Sequence, residues 1–203
     1  MKRSLVFSLS ACVLSVCLFA SPASAADAKA GKTVTVFNLG GLDEAGLGQS
    51  VAYLTRNVPL PVRSVALPAQ TSVDAVLQAV AKARTENDAI VIAVVALSKT
   101  ESLTLADPDH AVAIVNTAAI KQASKNPVAL DQFILRALAA ELGVGYSIDI
   151  HCVNRRTTAP SEIEKLGGNF CPPTLQQVLI SAGERGVNTT IVTRKRATPA
   201  EKK

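Results

Sequence analysis

The sequence predicts an α/β domain: a mixed, twisted sheet with packed helices and a loop-rich C-terminal part. Three observations carry this. Short β-branched runs alternate with segments of helical periodicity from Lys32 to about Gly145. The run AIVIAVVAL (89–97) is apolar throughout, as a strand covered on both faces must be. Past that point glycine, proline and polar residues cut the chain into short pieces.

The domain does not begin at Met1. Lys2 and Arg3 precede a mostly apolar run from Leu5 to Phe19, and Ala23-Ser24-Ala25 is a small-residue cleavage site. That order predicts an export signal spanning 1–25 and a periplasmic or secreted protein. The run is short for a spanning helix, and no later stretch has the length or apolarity of one. Residues 26–31 are a short polar leader, 32–192 the folded domain and 193–203 a basic tail. The whole chain carries a formal net charge of +5. Removing the signal leaves +3, of which the tail supplies +4 through Arg194, Lys195, Arg196, Lys202 and Lys203 against Glu201. The domain itself is therefore close to neutral. With no aromatic residues among the tail cations, nothing points to a nucleic-acid partner.

The elements follow in order. KTVTVFNLG (32–40) alternates apolar and polar residues and reads as a strand, ended by Gly40 and Gly41. Leu47, Val51, Leu54 and Val58 share one side of a helix, which Pro59 and Pro61 stop. VRSVAL (62–67) is a short strand. Ser72 is an N-cap for a helix whose stripe is Val73, Val76, Leu77 and Val80. After the apolar strand 89–97 comes a long polar loop, SKTESLTLADPDH, and then the strand AVAIVNT (111–117). NPVALDQFILRALAAELGVG (126–145) reads as one helix. SEIEKLGGN and PTLQQVLISAGERG read as short helices, and NTTIVT (188–193) as a terminal strand.

The 126–145 helix holds the chemistry. At 100° per residue, Leu130, Phe133, Ile134, Ala137, Leu138 and Glu141 share an arc of about 140°, with Gln132, Arg136 and Ala139 opposite. A carboxylate in the middle of an apolar stripe is informative, because burying it unpaired is costly. Either Glu141 is a general base in a cleft, or an arginine or backbone partner holds it as a structural group. The residues favour the second reading. Gly40-Gly41 after a strand suggests a phosphate loop only weakly, since no Lys-Ser/Thr pair follows. Ser147, Asp149 and His151 alternate along one segment and cannot converge as a triad.

Glu141-Leu142-Gly143, His151-Cys152 and the segment Asn169-Phe170-Cys171-Pro172-Pro173 together resemble the motifs of archaemetzincin-type zinc proteases, a metzincin-like family. Its signature is H-E-x-x-H-x-x-G-x-x-H-C, a second Cys five residues on and a downstream C-x-x-C. The resemblance runs over roughly Lys32 to Leu179 and implies a zinc-protease fold with Glu141 in the general-base position. The departures lie at the metal. Ala140 and Val144 stand where the first two histidines belong, and the third ligand falls on Ile150 with His151 one residue late. His151 is the one retained candidate ligand, and three side-chain ligands are the requirement of a catalytic zinc.

The family's four cysteines fall at Cys152, Thr157, Cys171 and Thr174. Two survive, and the resemblance implies that they lie close enough for a Cys152–Cys171 disulfide, once Cys12 and Cys17 leave with the signal. The expectation is an exported pseudoenzyme without a cofactor, acting as a binding or scaffolding domain for an unidentified protein or peptide. An active metal-dependent peptidase, with zinc and Glu141 as base, is one alternative. An envelope structural protein is the other.

Overall fold

β-branched alternation and helix caps set the first half of the molecule. A computed structural model of the chain describes residues 31–189. The expected export signal, most of the expected leader, most of the expected terminal strand and the basic tail lie outside the described residues. β1 (Thr33–Leu39), β2 (Val62–Ala66) and β3 (Asp88–Val95) alternate with α1 (Glu44–Asn57) and α2 (Val73–Ala83). Asp43 caps α1, accepting from the Gly46 amide at 2.7 Å. Ser72 caps α2 as its sequence position predicts, accepting from the Ala75 amide at 3.3 Å. Pro59 and Pro61 end α1, and the Pro61 carbonyl accepts from Val34 N at 2.9 Å, so the breaker delivers the chain into β2.

The sheet has five strands in the order β2-β1-β3-β5-β4, with β4 (Thr104–Asp107) and β5 (Val112–Asn116) completing it. All neighbours are parallel except β4, which runs antiparallel to β5. This is the mixed α/β sheet the sequence predicts, and the strands' period of two sorts its layers. Val34, Val36, Ile90, Ile92 and Val94 face α1 and the long helix α4 (Ala129–Glu141), while Phe37, Leu39, Val91 and Ala93 face α2. Both outer strands are short, β2 with five residues and β4 with four.

Two elements differ from the sequence reading. β4 lies within the segment 98–110, expected to be a loop. It is an edge strand with Leu105 turned outward at 41% exposure, so it carries no apolar alternation to detect. α3 (Thr117–Ala123) follows β5 without a loop, because the buried Asn116 side chain accepts from the amides of Ala118 and Ala119 and caps it directly.

The C-terminal part is α5 (Pro160–Ile163), α6 (Pro172–Glu184) and connecting loops. It covers the side of α4 opposite the apolar stripe. Gln132, Arg136 and Ala139 are buried there with the apolar stripe. Gln132 donates to the Leu166 carbonyl at 3.1 Å and to that of Gly167 at 3.2 Å. Arg136 donates to the carbonyls of Val153 (3.1 Å) and Arg155 (2.7 Å), with its guanidinium over the Phe133 and Tyr146 rings. On the α1 side, Asp131 accepts from the buried Ser50 hydroxyl at 2.6 Å. Among the described residues no helix is long and apolar enough to cross a membrane.

At the start of the sheet Asp88 ties three segments together. Its carboxylate accepts from Arg63 Nε at 2.7 Å and Nη2 at 2.6 Å, from the Thr85 amide at 2.7 Å and from the Thr35 hydroxyl. Burial pushes this carboxyl up. The hydrogen bonds from Arg63, Thr35 and Thr85 outweigh it and bring it down to about 2. A lowered carboxyl contributes stability above its ordinary value and loses it as pH falls through the folded one. Denaturant unfolding as a function of pH will therefore show a loss of roughly 1–2 kcal/mol between about pH 4 and pH 2, the discount reflecting the partly exposed guanidinium. Asp88→Asn will remove that part of the pH dependence and lower stability at neutral pH by a similar amount.

Candidate functional site

Glu141 ends α4, and the chain turns at Gly143, whose φ of 69° suits glycine. The carboxylate is buried, at 5% exposure, and Arg185 at the end of α6 meets it. Arg185 Nη1 lies 2.5 Å from Glu141 Oε1, and Nη2 donates to the Glu141 main-chain carbonyl. One guanidinium thus neutralises the side chain and occupies a terminal carbonyl of the helix, the end where positive charge is favoured. Burial pushes the Glu141 carboxyl up, and the hydrogen bond and charge of Arg185 pull against it. A cavity of about 240 Å³ adjoins the pair, walled by Ala106, Pro108, Ala111 and Leu142.

The other candidate groups do not converge on this cavity. Ala140 and Val144 present a methyl and an isopropyl group. His151 is exposed, and its amide donates to Asp149 Oδ1 at 2.8 Å. His110 is exposed beside Asp107, with Nδ1 3.1 Å from Oδ1. Neither histidine lines the cavity. Among the described residues no group of three or more His, Cys, Asp or Glu side chains is placed to hold a metal. The motif resemblance puts its first two zinc donors at 140 and 144, where this chain has Ala and Val, and the one carboxylate here is already held by a cation. The residues do not fit a catalytic zinc.

Ser147, Asp149 and His151 form a turn and not a triad. Asp149 N donates to Ser147 Oγ at 3.1 Å, and the serine hydroxyl lies 3.2 Å from Cys171 Sγ. That contact belongs to a second cluster. Cys171 N donates to Cys152 Sγ at 3.1 Å, and Thr174 Oγ1 lies 3.1 Å from Cys171 Sγ and 3.6 Å from Cys152 Sγ. Both cysteines are buried, free thiols, so the expected disulfide is not formed in this structure although the two residues are neighbours. Burial raises the Cys171 thiol, while hydrogen bonds with Cys152, Ser147 and Thr174 bring it down to about 7. Thr157 is drawn elsewhere, accepting from Arg136 Nη2 at 3.3 Å.

Arg185 is the residue that sequence reasoning missed. An arginine or backbone partner was required for a buried Glu141, but 44 positions separate the two and no local pattern links them.

No family model and no curated protein matches the sequence. Solved structures do match in fold. Archaemetzincin from Methanopyrus kandleri superimposes with a TM-score of 0.60 at 12% identity, over 78% of this chain and 99% of that one. A zinc-dependent peptidase from Methanocorpusculum labreanum gives a TM-score of 0.51 at 15% identity, over 71% of this chain and 99% of that one. The fold is archaemetzincin-like, as the motif resemblance implies.

Removing Arg185 leaves Glu141 buried and unpaired. Arg185→Met will lower stability at pH 7 by about 2–3 kcal/mol, less than for a fully enclosed pair because the guanidinium is 34% exposed. A carboxyl raised in the folded state destabilises only when ionised, so the deficit will shrink as pH falls through its folded value and vanish below its ordinary one. The double variant Glu141→Leu/Arg185→Met will recover most of the loss. Urea unfolding of the three proteins between about pH 4 and pH 8 checks this.

Proposed function

We propose that the chain is an exported protein in which the archaemetzincin-like fold has lost zinc hydrolysis and serves as a binding or scaffolding domain for a protein or peptide. The single observation that carries this reading is the Glu141–Arg185 pair. A general base must be open to the water it deprotonates, and here the carboxylate is 5% exposed and held by a guanidinium. Ala140 and Val144 add the second reason, since neither can ligate a metal.

Support for a binding role comes from the loop after α4. Tyr146, Ile148 and Ile150 are 64%, 102% and 63% exposed and follow one another at alternate positions. Large apolar side chains set outward at such spacing are more than the scattered singles of an ordinary surface.

Elemental analysis of the purified protein, with a peptide-cleavage assay beside it, tests the proposal. The expected result is zinc well below one per chain and no cleavage that distinguishes the protein from Glu141→Gln. One tightly held zinc per chain, with cleavage lost in Glu141→Ala, overturns it.

Export also bears on the cysteines. In an oxidising compartment the two thiols lose two protons and two electrons to the resident oxidant and become the Cys152–Cys171 disulfide. It closes a loop of about 20 residues and contributes roughly 3 kcal/mol. Unreduced protein recovered after export will be two hydrogens lighter than the dithiol by intact mass, and reduction will lower its melting temperature. A dithiol mass in the exported protein removes this part of the reading.

A further inference from the structure

We propose that the crevice at the C-terminal ends of β1 and β3 binds a small phosphate monoester through Lys99 and Lys121. The sheet topology places it there. β1 connects through α1 to β2 on one side, while β3 leads to β4 and β5 on the other. The two chains therefore leave the adjacent strands β1 and β3 in opposite directions, and in open α/β sheets this divergence is where ligands bind.

A cavity of about 480 Å³ opens at that point, within the size range of small-molecule sites. Its wall toward β1 is the Gly40-Gly41 turn. Gly40 has a φ of 85°, and a Cβ on Gly41 would meet Val95 N at 2.8 Å and Thr117 Cγ2 at 3.1 Å, so the turn lies flat across the strand ends. Lys99 reaches the cavity from the β3–β4 connection and Lys121 from α3. No carboxylate lines it, and neither lysine takes part in an ion pair among the described residues.

The charge of the lining selects the ligand. Two lysines on a cavity with no carboxylate in its lining suit a dianion, and lysine binds phosphate as a point charge without the planar fork that arginine uses for carboxylates. The backbone offers less: the Ala118 and Ala119 amides are taken by Asn116 Oδ1, and the Gly46 amide by Asp43. Recognition thus falls to the lysines, and the cavity leaves room for an organic group beyond the phosphate. This site shares no residue with the Glu141 cavity and does not depend on the function proposed above.

NMR titration of the purified ¹⁵N-labelled protein at constant ionic strength tests the assignment, with glycerol 3-phosphate as the phosphate monoester and succinate as a dicarboxylate of equal charge. Glycerol 3-phosphate is expected to give saturable shifts at the Gly40 and Gly41 amides. Lys99→Gln/Lys121→Gln is expected to weaken binding by about tenfold or more with the melting temperature unchanged. If the double variant is unstable, each single variant takes its place, with a loss of about threefold expected from each. Absence of saturable shifts at the two glycines, unchanged affinity in the folded lysine variants, or equal binding of succinate each overturns the proposal.

Discussion

A helix buried on every side cannot be entirely apolar at its ends, and each polar group it takes into the interior must find a partner there. α4 is that helix. Asp131, Gln132, Arg136 and Glu141 are all buried, and their partners come from four different places: Ser50 in α1, the carbonyls at 166–167, the carbonyls at 153 and 155, and Arg185 at the end of α6. Each bond fixes one surrounding segment at one height along the helix. The apolar contacts of Phe133, Ile134, Leu135 and Leu138 supply the driving force for burial. The polar contacts set which loop goes where, since a slipped packing would leave a charge or an amide unsatisfied in a dry interior.

The same constraint explains what could be read from the amino acids and what could not. Strand alternation, the Ser72 cap, the two prolines after Val58 and the continuous run 89–97 are local signals, and the elements they predict stand where expected. β4 carries no such signal, being four residues at an edge. The far side of α4, with Gln132 and Arg136, lies opposite the apolar stripe and carries no local sign of burial. Their burial depends on chain that arrives 17 to 35 residues later, so a projection of the helix alone could not contain it. Glu141 stood out for the opposite reason: a carboxylate among Phe, Ile and Leu contradicts its neighbours, and that contradiction demanded a partner without naming one.

The positive charge facing Glu141 is a guanidinium, which differs from a metal ion in what it asks of its surroundings. A metal ion needs several donors in fixed directions, whereas a guanidinium brings its own flat array of donors and can be delivered by a single residue. In this chain the donors at 140 and 144 are hydrocarbon, and the cation facing Glu141 is covalently part of the protein. In the cysteine cluster Thr174 lies beside the two thiols, while Thr157 is turned to Arg136.

The brevity of the two outermost strands bears on how the molecules behave in a crowd. An open β-sheet offers unpaired amides and carbonyls along each rim, a template on which a neighbouring copy could continue the ladder. One rim is five residues bracketed by Pro61 and Pro68 and bearing Arg63, and the other is four residues followed at once by Pro108. Proline cannot donate to a continuing ladder, and a charged side chain resists being stacked against its own copy. The rims therefore discourage edge-to-edge growth into fibres, which the Val-, Ile- and Ala-rich core strands would favour if exposed.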